Sequence, residues 1–452
     1  MDSELIKKYN VAGPRYTSYP TVPYWEKSPT VEEWKNEVLD SFEETNDKDG
    51  ISLYIHLPYC ESLCTYCGCN TRITVNHAVE DPYIIALLKE WAMYLETFEE
   101  TPRIREIHLG GGTPTFFTPT HLKQLIEGIT TTSNVCENAE FSFEAHPNNT
   151  TKEHLQVLYD AGFRRVSLGI QDFDMRVQQI INRIQSFDDV ERVTKQARAI
   201  GYTSVNYDLI YGLPLQDLQT MNATMAKIKF LKPDRIAFYS YAHIPWIKPG
   251  QRSYNENHLP SNEKKRELYE TGRKFLEEIG YVEIGMDHFA LPSDSLYKAA
   301  EEKKLHRNFM GYTHSYTELM IGLGVSSISD TWYAYAQNVK TVEEYLKLVN
   351  KNKLPIFRGH VLSAEDLILR RHILNIMCTG KTEWKRESEQ CEAVYDAIER
   401  LGEMQADGLV KIAPYNLRVT KKGKAFIRNI CMAFDARLWR NIPQTQIFSK
   451  TI

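Results

Sequence analysis

The chain has 452 residues, of which 42% are hydrophobic and 25% charged, and its formal net charge is −5. This composition is ordinary for a folded protein of two or three domains and excludes a disordered chain. The negative charge gives no overall attraction to nucleic acid, and no run approaches the roughly 18 apolar residues of a membrane span. We therefore expect a cytoplasmic protein that neither binds nucleic acid nor spans a membrane.

Between residues 51 and 285, short apolar runs alternate with amphipathic stretches, which is typical of βα units and a parallel sheet. Strands are predicted at residues 53–57, 104–109, 140–145, 165–169, 204–210 and 235–239, and helices at 121–130, 187–200 and 263–279. Six repeats predict an α/β fold with a curved, partly open (β/α)6 barrel. In such folds reactive residues collect at the C-terminal ends of the strands.

The repeat fades after residue 285, and we expect residues 286–355 to form a loop-rich, pocket-lining connection. Residues 356–452 are predicted as a mostly helical, winged-helix-like domain, with helices at 364–377 and 391–405 and a hairpin at 408–420. A basic group follows the hairpin: Lys421, Lys422, Lys424 and Arg428. It indicates either a DNA-binding module or a solvated face, and the acidic balance of the chain favours the solvated face.

Four cysteines follow the first predicted strand: Cys60, Cys64, Cys67 and Cys69. The spacing C-x3-C-x2-C can turn three thiolates toward one iron-sulfur cluster and leave part of it without a protein ligand. Structural zinc usually needs a second pair of Cys or His, and none accompanies this run, so zinc is the less favoured alternative. Clustered thiols without a secretion signal also indicate a reducing compartment.

Further candidates follow the later strands. The turn at residues 110–115, Gly-Gly-Gly-Thr-Pro-Thr, exposes backbone groups that can bond a zwitterionic amino acid, and it matches neither a P-loop nor a Rossmann fingerprint. Glu144, Gln171 and Asp208 stand at successive strand ends and could bond a ribose and an amino group, while Arg183 could hold a carboxylate. This rim has the polarity that S-adenosylmethionine requires.

Several motifs resemble those of the oxygen-independent coproporphyrinogen III oxidase family of radical S-adenosylmethionine enzymes. They are the cysteine run, the Gly-rich turn, Leu-Gly-Ile-Gln-Asp-Phe at 168–173, Asp-Leu-Ile-Tyr-Gly-Leu-Pro at 208–214 and Gly-Met-Asp-His-Phe-Ala at 285–290. The resemblance spans nearly the whole chain. It implies a radical SAM barrel at residues 51–285, with residues 1–50 as an N-terminal arm over its mouth.

The resemblance implies that Cys60, Cys64 and Cys67 hold a [4Fe-4S] cluster and that Cys69 does not. It also implies two S-adenosylmethionine molecules per chain, contacted by Tyr54, Tyr66, Gly111, Gly112, Thr113, Glu144, Gln171, Arg183, Asp208, Ala242, Phe309 and Ile328. The implied catalytic residues are His56, Tyr54 and Cys69, with a packed core histidine as the alternative for His56. Met310 departs from the family, whose best-known members have Gln there, and replaces a polar contact with a thioether.

The activity implied is the oxidative decarboxylation of two propionates of coproporphyrinogen III, which gives protoporphyrinogen IX. The partners would be that substrate, a reductant such as flavodoxin or ferredoxin and an unknown electron acceptor, and a monomer is expected. Arg15, Arg183 and Arg307 are candidates to pair with propionates. Heme chaperones of the same superfamily and heme ring-opening enzymes are the alternatives, and Cys69 favours the oxidase because chaperones usually have an aromatic residue there.

Overall fold

A computed structural model describes residues 3–451, and within them a sheet of twelve strands forms the centre of the protein. Six of its strands lie in parallel and in chain order: β1 (Ile51–Leu57), β2 (Arg103–Gly111), β3 (Asn134–Ala145), β4 (Phe163–Gln171), β5 (Ser204–Tyr211) and β6 (Arg235–Ser240). Each contains the strand predicted for it, so the predicted α/β fold is confirmed.

The sheet continues on both sides of these six strands. Beyond β6 come two antiparallel strands, first β8 (His288–Ala290) and then β7 (Val282–Gly285). On the other side β1 pairs in parallel with β9 (Met320–Leu323), which is followed by β10 (Ile328–Asp330), β11 (Ala334–Asn338) and β12 (Ile356–Val361). The outer edge of β1 pairs with β9 and the outer edge of β6 pairs with β8. Since β1 and β6 do not pair with each other, the barrel stays open.

Residues 286–355 differ from the loop-rich region expected there, because they supply β8, β9, β10 and β11. The expected boundary at residue 285 falls in the hairpin between β7 and β8. Residues on both sides of it belong to one hydrophobic core, which includes Ile55 on β1 and Ile321 on β9. The division into four regions stays a prediction.

A helix follows each parallel strand: Glu80–Leu95, Pro119–Thr130, Lys152–Asp160, Phe187–Ile200, Leu218–Leu231 and Asn262–Glu278. The hydroxyls of Thr118, Thr151 and Ser186 accept backbone N–H groups of the first turns, and Gly201 with φ +119° ends the fourth helix. Shorter helices are Met175–Ile180, Ser295–Glu301 and Val342–Asn350. In the described part of the chain no helix has the length and apolar character that crossing a bilayer requires.

A second core joins the two ends of the chain. Its helices are Ala364–Thr379, Glu392–Arg400, Gly402–Ala406, Ile427–Ala433 and Ala436–Arg440, beside a small sheet of Lys381–Glu383, Asn416–Val419 and Val410–Ala413. Leu5 and Tyr9 of the helix Ser3–Tyr9 are buried in this core, together with Tyr16 and Tyr19. The helix Val31–Thr45 instead buries Trp34 in the core of the large sheet.

Two pairs of short strands lie outside these sheets. Tyr59–Cys60 pairs in parallel with Arg72–Ile73, and His306–Asn308 pairs antiparallel with Gly311–Thr313. The first pair begins the segment that carries the clustered cysteines. Met310 lies in the turn between the two strands of the second pair.

Replacing Phe143 with alanine should destabilise the protein by about 3–5 kcal/mol, because its fully buried ring packs edge-on against Phe163 and Tyr202. The same change at Phe230, which is 68% exposed, should cost about 0.5 kcal/mol or less. Urea denaturation measures both variants. Equal losses would contradict the assignment of Phe143 to the core.

Candidate functional site

The C-terminal ends of the parallel strands surround a cavity of about 500 Å³, a size typical of small-molecule sites. Most of the predicted site residues line it: Cys60, Cys64, Tyr66, Cys67, Cys69, Gly111, Gly112, Thr113, Glu144, Gln171, Arg183 and Asp208. Met310 also lines it. Tyr54, His56, Ala242, Phe309 and Ile328 lie outside the cavity lining. The fold therefore gathers residues from five strand ends into one place.

The cysteine loop is anchored to the sheet by backbone hydrogen bonds. Gly112 N donates to Leu57 O at 2.8 Å, and Thr113 N donates to Tyr59 O at 3.0 Å. The Thr113 hydroxyl also lies 3.3 Å from Cys60 Sγ. Because Gly112 and Thr113 follow β2, the Gly-rich turn holds the loop that follows β1.

Two glycines make this close approach possible. Gly111 has φ +114°, and a Cβ there would lie 2.7 Å from the His56 ring. A Cβ on Gly112 would lie 2.5 Å from Pro58 O, closer than real contacts allow. A side chain at Gly111 would therefore collide with β1, and one at Gly112 would collide with the start of the cysteine loop.

The thiols lie beside basic groups. Arg183 Nη1 is 3.5 Å from Cys64 Sγ, and its Nη2 donates to Gly169 O at 2.5 Å. Hydrogen bonds from Cys69 lower the pKa of Cys67, and Lys248 and Arg183 act in the same direction. Burial raises the pKa of Cys60 to about 11. The thiolate, which is the form that binds metals, is therefore favoured at Cys67 but not at Cys60.

Among residues 3–451, no three His, Cys, Asp or Glu side chains converge closely enough to hold a single metal ion. A [4Fe-4S] cluster presents a separate iron to each thiolate, so its ligands stand further apart than those of one ion. Cys60, Cys64 and Cys67 together line the open cavity. These three thiols have the donor chemistry that a sulfur-bound cluster would require.

The carboxylate of Glu144 faces the same cavity. Its Oε2 accepts from Gly111 N at 3.2 Å, and its Oε1 lies 3.6 Å from His108 Nε2. Burial alone would raise the pKa of Glu144, but the contact with His108 and the Gly111 N–H lower it below the ordinary value. Glu144 is therefore a carboxylate, able to accept hydrogen bonds from a ligand.

Asp208 stands in a different environment. It accepts from the Ser167 hydroxyl at 2.9 Å and from Asn206 Nδ2 at 2.9 Å. Burial, reinforced by the charge of Glu144, raises the pKa of Asp208 to about 6. The two carboxylates on one rim thus differ in how readily they hold a proton.

Beneath the rim, the barrel interior is charged. Arg165 Nε bonds Glu140 at 2.7 Å, and Arg235 Nε bonds Asp294 at 2.6 Å. Burial and the charge of Glu140 raise the pKa of Glu106 to about 7. Sequence reasoning missed this layer, although polar residues at alternate positions of the strands were its signal. His108 was also not predicted, although it alternates with Glu106 on β2 and shares that signal.

Tyr54 and His56 lie on β1, behind the cavity lining. His56 Nδ1 is 3.1 Å from the Tyr54 hydroxyl, and His56 Nε2 is 2.9 Å from Asn70 O. Burial lowers the pKa of His56, which favours the neutral imidazole. His56 therefore ties β1 to the residue that follows Cys69, and its catalytic role stays a prediction.

The other three predicted contacts lie around the site. Ala242 O accepts from Gln251 Nε2 at 3.1 Å, and the same amide reaches Tyr66 O at 3.3 Å. The Phe309 ring packs edge-on against Tyr335, and Ile328 begins β10. These roles in cofactor binding also stay predictions.

The family model described as the Radical SAM superfamily matches residues 54–228. This range contains the cysteine run, the Gly-rich turn, Glu144, Gln171 and Asp208. Fold and site together therefore define a radical SAM protein.

Similarity to individual proteins extends over the full chain. The oxygen-independent coproporphyrinogen III oxidase of Synechocystis sp. is 38% identical over 100% of this chain and 98% of that protein. The protein of the same name from Helicobacter pylori is 38% identical, covering 97% of each. The solved structure of coproporphyrinogen III oxidase from Escherichia coli, a radical SAM enzyme, matches with a TM-score of 0.89 and 35% identity over 96% of this chain and 98% of that one. The chain belongs to the oxygen-independent coproporphyrinogen III oxidase family.

Replacing Gly112 with alanine should destabilise the protein by about 1–3 kcal/mol, because the new Cβ pushes the start of the cysteine loop away. Gly68→Ala is the matched control, since a Cβ there meets nothing within 4 Å. Thermal denaturation and iron content after anaerobic reconstitution measure both. Full iron content and unchanged stability in Gly112→Ala would show that the turn does not hold the loop.

Proposed function

We propose that the protein catalyses the oxidative decarboxylation of two propionates of coproporphyrinogen III and so forms protoporphyrinogen IX in heme biosynthesis. The observation that carries the proposal is the convergence of three thiols, Arg183 and two carboxylates on one cavity, in a chain similar over its full length to oxidases of that name. Each propionate would become a vinyl group by losing one hydrogen atom to the radical derived from S-adenosylmethionine, carbon dioxide, and one electron to an external electron acceptor.

Cys60, Cys64 and Cys67 would hold the [4Fe-4S] cluster, and Glu144, Gln171, Arg183 and Asp208 would bind S-adenosylmethionine. When bound, the cluster and S-adenosylmethionine supply the radical that takes the hydrogen atom from the propionate. The residues of the chain position the groups and exclude water. Arg183, already 3.5 Å from Cys64 Sγ, would place a ligand carboxylate beside the cluster.

A second S-adenosylmethionine is part of the proposal. Met310 lines the cavity together with Tyr239 and His288, on the side opposite the cysteines along the sheet. A thioether there offers packing but no strong hydrogen bond. The second molecule would therefore depend on the other polar groups of the cavity more than on residue 310.

A reducing location such as the cytoplasm suits this chemistry, and a monomer suffices for it. All eight cysteines in the described chain are free thiols. Thiols remain reduced in the cytoplasm, and a thiolate-bound cluster depends on that.

The proposed activity predicts two losses of carbon dioxide per substrate in an anaerobic assay with dithionite, S-adenosylmethionine and coproporphyrinogen III. The mass of the product distinguishes this outcome from the two alternatives. A heme chaperone supplied with heme would leave it unchanged, and a heme ring-opening enzyme would form a linear tetrapyrrole. Cys64→Ala should lose the cluster absorbance and at least a thousandfold of activity, whereas Cys136→Ala, outside the cavity, should keep both. A wild-type protein with full iron that never forms 5'-deoxyadenosine would sink the proposal.

The reductant would dock beside the cysteine loop. Lys248 Nζ donates to Cys69 O at 3.3 Å, and Asn70 Nδ2 donates to Lys340 O at 2.9 Å. Lys340 and Arg358 both lie within 6 Å of the Phe357 ring, which is 56% exposed. Within residues 3–451, none of these three cations has a carboxylate at ion-pair distance. Such a surface suits an acidic electron carrier such as flavodoxin or ferredoxin.

Lys340→Glu with Arg358→Glu should slow flavodoxin-driven turnover at least tenfold at low salt, because the charge attraction is reversed. Dithionite-driven turnover should stay the same, since a small reductant needs no docking surface. Lys351→Glu with Lys353→Glu, two exposed lysines elsewhere, is the matched control. A raised KM for coproporphyrinogen III with dithionite would instead assign these cations to the substrate.

A further inference from the structure

We propose a second ligand site, outside the reaction cavity, that binds a small molecule with several carboxylates on an apolar body. It is a cavity of about 600 Å³ between the helix Asn262–Glu278 and residues 421–428 of the C-terminal domain. Seven basic side chains and four carboxylates line it within the described chain, an excess of three positive charges. The choice of a tetrapyrrole carboxylate as ligand rests on the proposed function, but the cavity and its charges do not.

The wall formed by the barrel is already neutralised. Arg266 pairs with Glu270, and Arg273 pairs with Glu270 at 2.8 Å and Glu277 at 2.5 Å. Arg15 pairs with Asp287 at 3.2 Å. The remaining carboxylate, that of Glu283, accepts from the Tyr269 hydroxyl at 2.7 Å. These carboxylates therefore have partners on their own side and leave the other wall uncompensated.

Every charged side chain of the opposite wall is basic. They are Lys421, Lys422, Lys424 and Arg428, and none of them has a carboxylate oxygen at ion-pair distance among residues 3–451. Lys422 Nζ reaches only the backbone O of Asp407, at 3.2 Å. The solvated basic face favoured from the sequence is thus one side of a cavity.

Arg428 adds a buried positive charge to this wall. It is only 5% exposed, yet its acceptors are the backbone carbonyls of Gly13, Pro14, Ser449 and Lys450 and the Ser449 hydroxyl. The charge of Asp287 acts on Arg428, but no carboxylate of the described chain lies at ion-pair distance from it, and a buried cation without a paired counter-charge is costly. Burial, with the charge of Arg15, lowers the pKa of Arg428 to about 9.

Lys265 does not line the cavity, but its charge interacts with two cations that do, Arg15 and Arg428. Its Nζ donates to Tyr241 O at 2.7 Å, and burial together with Arg15 and Arg428 lowers its pKa to about 7. A bound carboxylate would relieve the repulsion among these three cations. The site therefore favours a ligand with more than one negative group.

Apolar and aromatic surface completes the cavity. The side chains concerned are Tyr211, Tyr269, Tyr281, Val282, Met286, Ala425 and Ile427. Phosphate or a short dicarboxylic acid would leave this surface without contacts, whereas a flat apolar body would cover it. The combination indicates a porphyrin-like polycarboxylate.

The second cavity is separate from the first. Asp208 and Tyr239 point into the barrel and line the first cavity, whereas Tyr211 and Ser240 line the second, behind the same strand ends. The Arg15–Asp287 pair lines only the second cavity. A ligand there would touch neither the cysteines nor Glu144.

The test is titration of the reconstituted full-length protein with coproporphyrin III, the oxidised compound that cannot be turned over. We expect two binding sites per chain, one of which is weakened by salt. Lys421→Gln, Lys422→Gln and Lys424→Gln together should weaken that site at least tenfold. The matched control removes three exposed lysines elsewhere, at positions 229, 351 and 353, and should bind as the wild type does.

A second variant keeps every charge and fills the space. Val282 lies on the apolar wall and is 38% exposed, so Val282→Trp should fold normally and abolish the same site. The tetramethyl ester of coproporphyrin III, which lacks the carboxylates, should not bind there.

One binding site per chain, or a second site unaffected by both sets of changes, would overturn the inference. Displacement of the porphyrin by pyrophosphate at a tenfold lower concentration would also overturn it, because phosphate would then be the ligand. If the protein turns over coproporphyrinogen III but binds coproporphyrin III at only one site per chain, this inference fails and the proposed function stands. Two sites without turnover would instead mean that the proposed function fails.

Discussion

The contact between the Gly-rich turn and the start of the cysteine loop is the constraint on which the site depends. Two neighbouring parallel strands end side by side, and the turn after the second lies against the backbone after the first. No side chain fits between Gly112 and Pro58 O. Because this contact joins the two segments, the thiols, the exposed backbone groups of the turn and the Glu144 carboxylate become parts of one cavity.

The polar interior of the barrel supports that cavity from below. A core of this size could have been apolar throughout, but Glu140, Arg165 and Arg235 are buried beneath the rim and matched with opposite charges. Burying charges is costly unless geometry pairs them, so they add specificity rather than stability. Above this layer the two rim carboxylates differ: contacts with His108 and the Gly111 N–H lower the pKa of Glu144, whereas burial and the charge of Glu144 raise the pKa of Asp208.

The sequence predicts the six parallel strands well, because each is a buried run of β-formers followed by an amphipathic helix. It predicts β8 to β11 poorly, because strands of three to five residues carry too little pattern and pair with residues far away in the chain. The approach of Arg183 to Cys64 could not be predicted from the sequence either, since it depends on how two loops pack. The second cavity joins Arg15, Arg273 and Lys424, which no local pattern connects.

The shared core of the two chain ends has a consequence for synthesis on the ribosome. Leu5, Tyr9, Tyr16 and Tyr19 precede the barrel in the chain, but apart from Met286 the other side chains of their core come from residue 368 onward. The barrel can assemble while the nascent chain is still growing, whereas the segment with these four residues must wait with its apolar groups in water until the C-terminal helices have been synthesised. A segment that is made before the barrel is thus packed only after it.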